Sequence, residues 1–312
     1  MSTPQVNYAS LEAERRKILR FTRIPKIIAV FLLLGSIALF LSQLVLYAAI
    51  LTALAVGLLI QSELPKKKFL HNFKLKVIGT LAQQINPTFT YEPDKGWDVA
   101  FLYENGLTHL SPTGGKSEDY FSGSLDQTKI AFCEMTAFHR DSGLNETGQR
   151  RTAVKNLFKG IVFQATFPQS FVGQTFVIPR DQKSDFDAIL KEKLGIEELK
   201  QHAFDLLKEQ GAEVNLVVYS SDESAANNIF STSFKKLVIE LYHKLENIAP
   251  CHIYMTFKDQ NMYLAIDWES DFFEYSIQKT VEEEIEETMA ELQLCFGIIE
   301  DLNLNQQVWS AK

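Results

Sequence analysis

Residues Ile27–Ile60 form an unbroken run of 34 positions without a charged side chain, and lysines and arginines crowd both ends of it. At ~1.5 Å per residue a single helix of that length spans roughly 51 Å, against a hydrocarbon core of ~30 Å. Fitting it would take a tilt of more than ~50°, beyond the about 0–40° that spanning helices adopt. Two shorter helices joined by a turn avoid that tilt. The pattern therefore predicts a transmembrane hairpin over 27–61, with arms Ile27–Leu41 and Leu44–Ile60 and the polar pair Ser42-Gln43 at the turn.

Beyond the run the pattern changes period. Leu70, Phe73, Leu75, Val77, Ile78 and Leu81 continue a basic helix over 62–85, which Asn86-Pro87 ends. Tyr120–Ser122, Lys129–His139, Leu157–Phe167 and Gln174–Ile178 are β-branched and aromatic runs. Turn residues separate them at Ser124–Gln127, Pro168–Ser170 and Pro179–Asp181. The polar stretch Asp141–Arg151 reads as a mobile loop. A helical region is expected from Asp185 to Gln210, then a buried strand Val214–Tyr219 and a helix opened by a Ser220/Glu223 capping box. Ile253, Met255 and Phe257 alternate, Asp259–Asn261 turns the chain, and Met262–Ile266 returns. Ile277, Val281, Ile285, Met289, Leu292, Phe296 and Ile299 mark the stripe of a last helix. Strands in runs, then mixed with helices, give an α+β class: a β-rich first half and a mixed second half over 86–312, with a lobe break near residue 185.

Charge adds an orientation. Residues 1–76 hold 11 basic and 3 acidic side chains, and residues 77–312 hold 20 and 36, so the two parts carry +8 and −16. Arg15, Arg16, Lys17, Arg20, Arg23 and Lys26 precede the apolar run, and Lys66, Lys67 and Lys68 follow it. Basic residues beside spans stay in the cytoplasm. A hairpin keeps both clusters there, with the basic N-terminal helix (1–26) and both termini, whereas a single span strands one cluster outside. These residues are the expected contacts for the anionic lipids of the membrane surface. A cleaved signal peptide has an apolar stretch of only ~7–15 residues. The acidic body is a poor ligand for nucleic acid, whose binding rests on phosphate neutralisation. Cys133, Cys251 and Cys295 are odd in number and scattered, as expected of reduced thiols in the cytoplasm. There the sequon Asn145-Glu146-Thr147 has no consequence.

Candidate chemistry is sparse. Gly114-Gly115-Lys116-Ser117 resembles the end of a phosphate-binding loop, but the required earlier glycine is Leu110 and Pro112 removes a donor, so it reads as a flexible loop. Asp267, Glu269 and Asp271 would share one face of a strand, yet as a calcium loop they lack the glycine at position six and the glutamate at position twelve. The acidic run Glu282–Glu287 reads as the water-facing side of the last helix. The six histidines form no HExxH motif. Spacing alone assigns no catalytic residue, no metal ligands and no cofactor.

The hairpin, together with Asn86-Pro87-Thr88-Phe89-Thr90-Tyr91, Leu157-Phe158-Lys159-Gly160, Val218-Tyr219-Ser220-Ser221-Asp222, Met262-Tyr263-Leu264-Ala265-Ile266 and the closing Ile298–Leu304, resembles a family of bacterial membrane proteins known as domain of unknown function 3137. The resemblance implies an inner-membrane protein without an assigned activity, often encoded beside LemA-family membrane proteins, and it brings no functional residues. The expectation is a non-enzymatic adaptor or scaffold that binds another membrane or envelope protein, a LemA-like one among them. The alternatives are a lipid- or small-ligand-binding module built on a PH-like barrel, and a membrane-tethered hydrolase with a dispersed site.

Overall fold

The structure, a computed structural model, describes residues 8–144, 150–207 and 214–302. It divides into two compact units, Met1–Leu81 with Glu274–Ala290, and Ala82–Phe273 with Glu291–Lys312.

The first unit is built on the hairpin. Helix α1 spans Tyr8–Leu41 and α2 spans Val45–Phe73, joined at Ser42–Leu44 where Gln43 takes a left-handed φ of 62°. The turn falls where the polar pair predicts it. Both helices are long and apolar enough to cross a membrane, and their apolar windows are almost entirely exposed, unlike a soluble core helix. The buried positions recur every seven residues: Arg15, Thr22, Ala29 and Ser36 on α1, and Ala48, Ala55, Ser62 and Phe69 on α2. Within the spans every seam residue is small, so the backbones approach closely, and a strict heptad is the period of a left-handed pair. The hydroxyls of Thr22, Ser36 and Ser62 return to carbonyls three residues back, leaving no buried donor unmet there.

Exposed apolar side chains crowd between Phe21 and Leu64, with Tyr8 and Leu75 exposed outside that stretch. Its uncharged part, 15 residues before the turn and 17 after it, covers about 22–26 Å, and the apolar side chains that flank it make up the rest of the hydrocarbon core. At the boundary Lys26 Nζ reaches Glu63 across the hairpin at 2.8 Å, and Lys66 joins the same carboxylate at 3.0 Å.

Past the boundary α2 runs through a π-helical turn, Lys74–Ile78, into α3, Gly79–Ile85. Residues 274–290 pack onto this region. Tyr275 lies against Phe69 and Phe73, with ring centroids 5.9 and 4.0 Å away. Arg15, 6% exposed, donates to the Ile277 carbonyl at 2.9 Å and to Glu12, while Glu12 also accepts from the Val281 amide. The Arg15 guanidinium, helped by Arg16 and that amide, holds the Glu12 carboxyl down at about 2. The last helix begins at Val281 and reaches Asp301, so Ile277 precedes it. Thr280 and Glu283 form its capping box, each side chain bonded to the other's backbone amide. Glu284 departs from the expected water-facing acidic side: it is 2% exposed and accepts from the Ser276 amide.

The second unit is one nine-stranded, fully antiparallel sheet. Its strands are β1 (Thr90–Glu92), β2 (Gly114–Leu125), β3 (Thr128–Leu144), β4 (Arg150–Thr166), β5 (Gln174–Pro179), β6 (Ala203–Phe204), β7 (Leu216–Ser220), β8 (His252–Lys258) and β9 (Asn261–Asp267). They lie in the order β1-β2-β3-β4-β9-β8-β5-β7-β6. The sheet is open rather than barrel-like, and no break falls near residue 185, because β5 before it and β7 after it are paired neighbours. A single row of partners crosses every strand: Tyr91, Phe121, Phe132, Phe163, Leu264, Met255, Val177, Val218 and Phe204. All nine are apolar or aromatic, and this continuity is what fixes the register.

Helices cover both faces. On the face of that row, Phe296 near the end of the last helix meets Phe89 and Phe132, and Phe234 meets Phe257. Phe234 belongs to the helix Thr232–Ile248, which Ser231 caps; the short helix before it, Glu223–Ile229, is capped by Asp222. Ser220 is therefore not the cap: it ends β7, two residues too early. The opposite face packs Cys133, Met135, Val162, Tyr254 and Ala265 under Leu102 and Leu107, and under Phe186, Ile189 and Leu190 of the helix Lys183–Leu194. That helix stops at Gly195, whose φ of 67° closes it well short of Gln210, and 208–213 lie outside the described residues.

Two further expectations change. Gly114–Ser117 is strand rather than loop, and a Cβ on Gly115 would sit 2.1 Å from the Thr136 carbonyl, so its glycine serves close pairing. Asp141–Leu144 and Arg150 continue β3 and β4 as a ribbon; 145–149, with the sequon, lie outside the described residues.

Two substitutions test the first unit. Ala29→Leu forces a large side chain into the small-residue seam and should cost about 1–3 kcal/mol. Arg15→Leu strands the buried Ile277 carbonyl at a cost of about 1–3 kcal/mol. Thermal unfolding in detergent checks both, and unchanged midpoints would contradict the packing described.

Candidate functional site

Most of the basic flank forms an exposed collar. Arg16, Lys17, Arg20, Arg23, Lys67 and Lys68 are exposed. Arg16, Lys17, Arg20, Ala13 and Phe21 line a cleft of about 350 Å³ on α1, with the Lys17 ammonium 6.0 Å from the Phe21 ring centre. Three members of the expected set differ. Lys26 and Lys66 are half-buried on Glu63. Arg15 is turned into the protein, as described above, and does not face a membrane surface. Its position on the heptad seam decides this, since the residues between the seam positions are the ones that point outward.

The body brings together acids that sequence spacing did not. Glu118, Asp119 and Glu134 present carboxylate oxygens within 4.8 Å of one another, and the last two are buried. A bulge in β2 builds the group: pairing runs Phe121 to Phe132, then slips so that Glu118 faces Glu134, and Asp119 takes a φ of 55°. Tyr91 Oη donates to Asp119, Lys116 pairs with Glu118, and the Phe272 amide donates to Glu134 at 3.1 Å. Three hard oxygen donors in this geometry are the kind that hold Ca²⁺ or Mg²⁺. Counting back from the Asp126-Gln127 turn would place Asp119, not Glu118, opposite Glu134, so the register alone points to the pair and the bulge completes the trio.

The acids flagged by their spacing do not converge. Asp267 Oδ1 accepts from the amides of Lys159 and Glu269, at the end of β9. Asp271 pairs with Lys159 Nζ at 2.8 Å, and Glu269 is exposed. Burial raises the pKa of Asp267, which suits a turn-closing carboxylate. The thiols are no better placed for chemistry. Burial pushes Cys133 and Cys251 up to about 11 and Cys295 higher still, so none is a ready thiolate.

Two other features remain. A cleft of about 490 Å³ lies over β1–β4, lined by Thr88, Thr90, Tyr120, Ser122, Lys129 and Gln164 among others, with no carboxylate in its lining. At the foot of the β3–β4 ribbon, His109 Nε2 lies 3.0 Å from Lys155 Nζ and 4.0 Å from Asp185, and Lys155 lies 3.8 Å from the same carboxylate. His139 is nearby, its Nδ1 2.8 Å from the Ser111 carbonyl. Burial first, then Lys155, holds the His109 pKa below its usual value, against the pull of Asp185.

Residues 156–304 match the model of the family described as "Protein of unknown function (DUF3137)", and over that stretch the chain carries this family's domain, as the resemblance implies. The match starts inside β4, takes in β5–β9 and runs through the last helix; the hairpin lies outside it. No curated protein matches the chain. Among solved structures it is similar to the "mycobacterial trehalose monomycolate transport factor A, TtfA", at 10% identity over 73% of this chain and 96% of that one. The TM-score of 0.33 is too low to carry an argument about either fold or function.

The His109 environment gives a pH prediction. A folded-state pKa below the unfolded one means that the unfolded chain binds more protons as pH falls below about 6.5. The stability that neutral His109 contributes is complete above that value and is lost as pH drops through the folded pKa. Comparing unfolding midpoints of the parent and His109→Gln between pH 7.5 and 5 should show a smaller acid loss in the variant. Equal slopes would mean that His109 is not held neutral.

Proposed function

We propose that this DUF3137 protein is a membrane-anchored adaptor of the bacterial inner membrane. In this reading the hairpin holds it in the bilayer, the collar rests on anionic headgroups, and the acidic sheet unit binds another membrane or envelope protein from the cytoplasmic side. The observation that carries the reading is the hairpin itself: two helices sealed along a small-residue seam, with exposed apolar surface for roughly the thickness of a hydrocarbon core and an exposed basic collar beyond it. Each collar residue near an anionic surface is worth about 1 kcal/mol. The −16 charge of residues 77–312 resists that same surface, which favours a protein partner for the body over bulk lipid. A LemA-like membrane protein is the first candidate, on the family resemblance alone.

The cleft over β1–β4 favours a second reading, a small-ligand-binding module, because hydroxyl, amide and lysine side chains line it beside apolar surface and it is free of carboxylates in an otherwise acidic unit. It no longer needs a barrel, since the ligand would lie on an open sheet.

Both readings meet one experiment. The full-length protein, extracted from its own membrane in mild detergent, should retain a second protein in fixed ratio, together with anionic phospholipid. Replacing Arg16, Lys17, Arg20 and Arg23 by Gln should deplete the lipid and spare the protein partner. A preparation that carries a small molecule and no protein would overturn the adaptor in favour of the binding module.

A further inference from the structure

The sheet face that buries Cys133 and Val162 loses its apolar cover two residues further along β3 and β4, where Ala131 and Gln164 are half-buried. Register lines up two rows of side chains there. Thr90, Ser122, Ala131 and Gln164 are successive partners across β1–β4, and Ser124, Lys129 and Thr166 are successive partners in the row beside them. Partnered residues share a face, and so do residues two apart on one strand. All seven line the cleft of about 490 Å³. Ala131, the smallest side chain of its row, stands between Ser122 and Gln164 and two residues from Lys129, and its small size makes the depression.

Many of the hydrogen bonds of this floor are already made within the protein. Thr88 Oγ1 lies 2.7 Å from the Ser124 carbonyl and accepts from the Ser124 amide at 3.2 Å. Thr90 Oγ1 lies 3.1 Å from Ser122 Oγ. Gln164 Nε2 and Thr166 Oγ1 both donate to Asn261 Oδ1, at 3.0 and 2.7 Å. These bonds hold the floor in place and use up hydroxyl donors, so Gln164 Oε1 and the threonine lone pairs are left to accept. The strongest donors still open are the Lys129 ammonium and the Ser124 hydroxyl. They stand on directly paired positions, and neither side chain bonds to another described residue. Lys129 is exposed, and no carboxylate lines the cleft to compete for it, although residues 77–312 carry a net −16.

We propose that this cleft takes a small polyol bearing one oxyanion group, such as a sugar phosphate or a sugar acid. The oxyanion sits on Lys129 and Ser124, where the hydrogen bonds are charge-assisted. The ligand's hydroxyls donate to Gln164 Oε1 and the threonine oxygens, and its carbon skeleton lies over Ala131 and the threonine methyls. Each part of the ligand thus meets what the floor has left open, acceptors for its donors and donors for its acceptors. A neutral sugar leaves Lys129 unused, and bare phosphate leaves the floor unused, so the two features belong on one molecule. A free sugar phosphate and the phosphoglycerol headgroup of a lipid share this chemistry, and the test separates them. The inference rests on the binding-module reading of the cleft and names the ligand class for it.

Equilibrium dialysis of the full-length protein in detergent tests it, with glucose-6-phosphate, gluconate, glucose, inorganic phosphate and glycerophosphoglycerol as probes. Glucose-6-phosphate or gluconate should bind about tenfold tighter than glucose or inorganic phosphate. Lys129→Gln should remove that advantage, and Ala131→Leu, which fills the depression, should abolish binding. Ser124→Ala keeps the test valid if Ala131→Leu fails to accumulate: it should weaken glucose-6-phosphate and leave glucose unchanged. Glycerophosphoglycerol bound tighter than glucose-6-phosphate supports the class and gives a lipid headgroup as the source. Anionic probes bound no tighter than glucose overturn the proposal, and so does tight binding that Lys129→Gln leaves unchanged. The two failures are distinct. Glucose bound as tightly as its phosphate, and lost in Ala131→Leu, keeps the binding module and removes the anionic class. No probe bound, and no small molecule carried by the purified protein, removes both.

Discussion

A backbone placed in hydrocarbon must satisfy its own hydrogen bonds, and this constraint shapes the first unit of the protein. Thirty-four uncharged residues meet it as two helices, and two helices in lipid gain little from hydrophobic attraction to each other. They are held instead by close approach, which is why Ala29, Ser36, Ala48 and Ala55 occupy the seam and the large side chains face out. The cross-hairpin ion pair of Lys26 and Glu63 sits where the apolar surface ends, so it pins the register of the arms where charge is first tolerated.

The same seam continues beyond the apolar surface, and there its residues change in kind. Arg15 replaces the small residue on α1 and Phe69 on α2, and both take partners from 274–290. A charged residue is buried at a seam position because Glu12 and the Ile277 carbonyl supply the hydrogen bonds that make burial tolerable. The sheet unit depends on a different rule. Its nine strands share one uninterrupted apolar row, and helices cover both faces, so a slip of one residue anywhere would turn that row toward the wrong side.

Local signals were legible in the chain, and long-range ones were not. The hairpin turn at Ser42-Gln43, the strand runs 129–139, 157–167 and 174–178, and the 253–266 hairpin all follow from periodicity and turn residues, and the structure has them. Arg15 looked like a member of the collar because its neighbours are basic; only the approach of residues 274–281 turns it inward. Asp141–Arg151 read as a loop because its composition is polar, whereas pairing with a partner strand overrides composition at 141–144 and 150. The trio Glu118, Asp119 and Glu134 escaped because a bulge has no reliable sequence signature, while Asp267, Glu269 and Asp271 drew notice by a spacing that matters only on a strand, and β9 ends at the first of them. The family resemblance was visible in scattered blocks, and those within the matched stretch carry packing rather than chemistry: Leu157-Phe158, Val218-Tyr219 and Leu264–Ile266 are all buried.

The central proposal is that the hairpin crosses the bilayer twice and leaves the sheet unit on the cytoplasmic side. Cysteine labelling in intact cells tests it most directly, with Cys251→Ser as background. A membrane-impermeant maleimide that enters the periplasm should label Gln43→Cys at the hairpin turn and should reach Val172→Cys in the sheet unit only after the cells are broken. Labelling of Val172→Cys in intact cells would place the body outside and contradict the account.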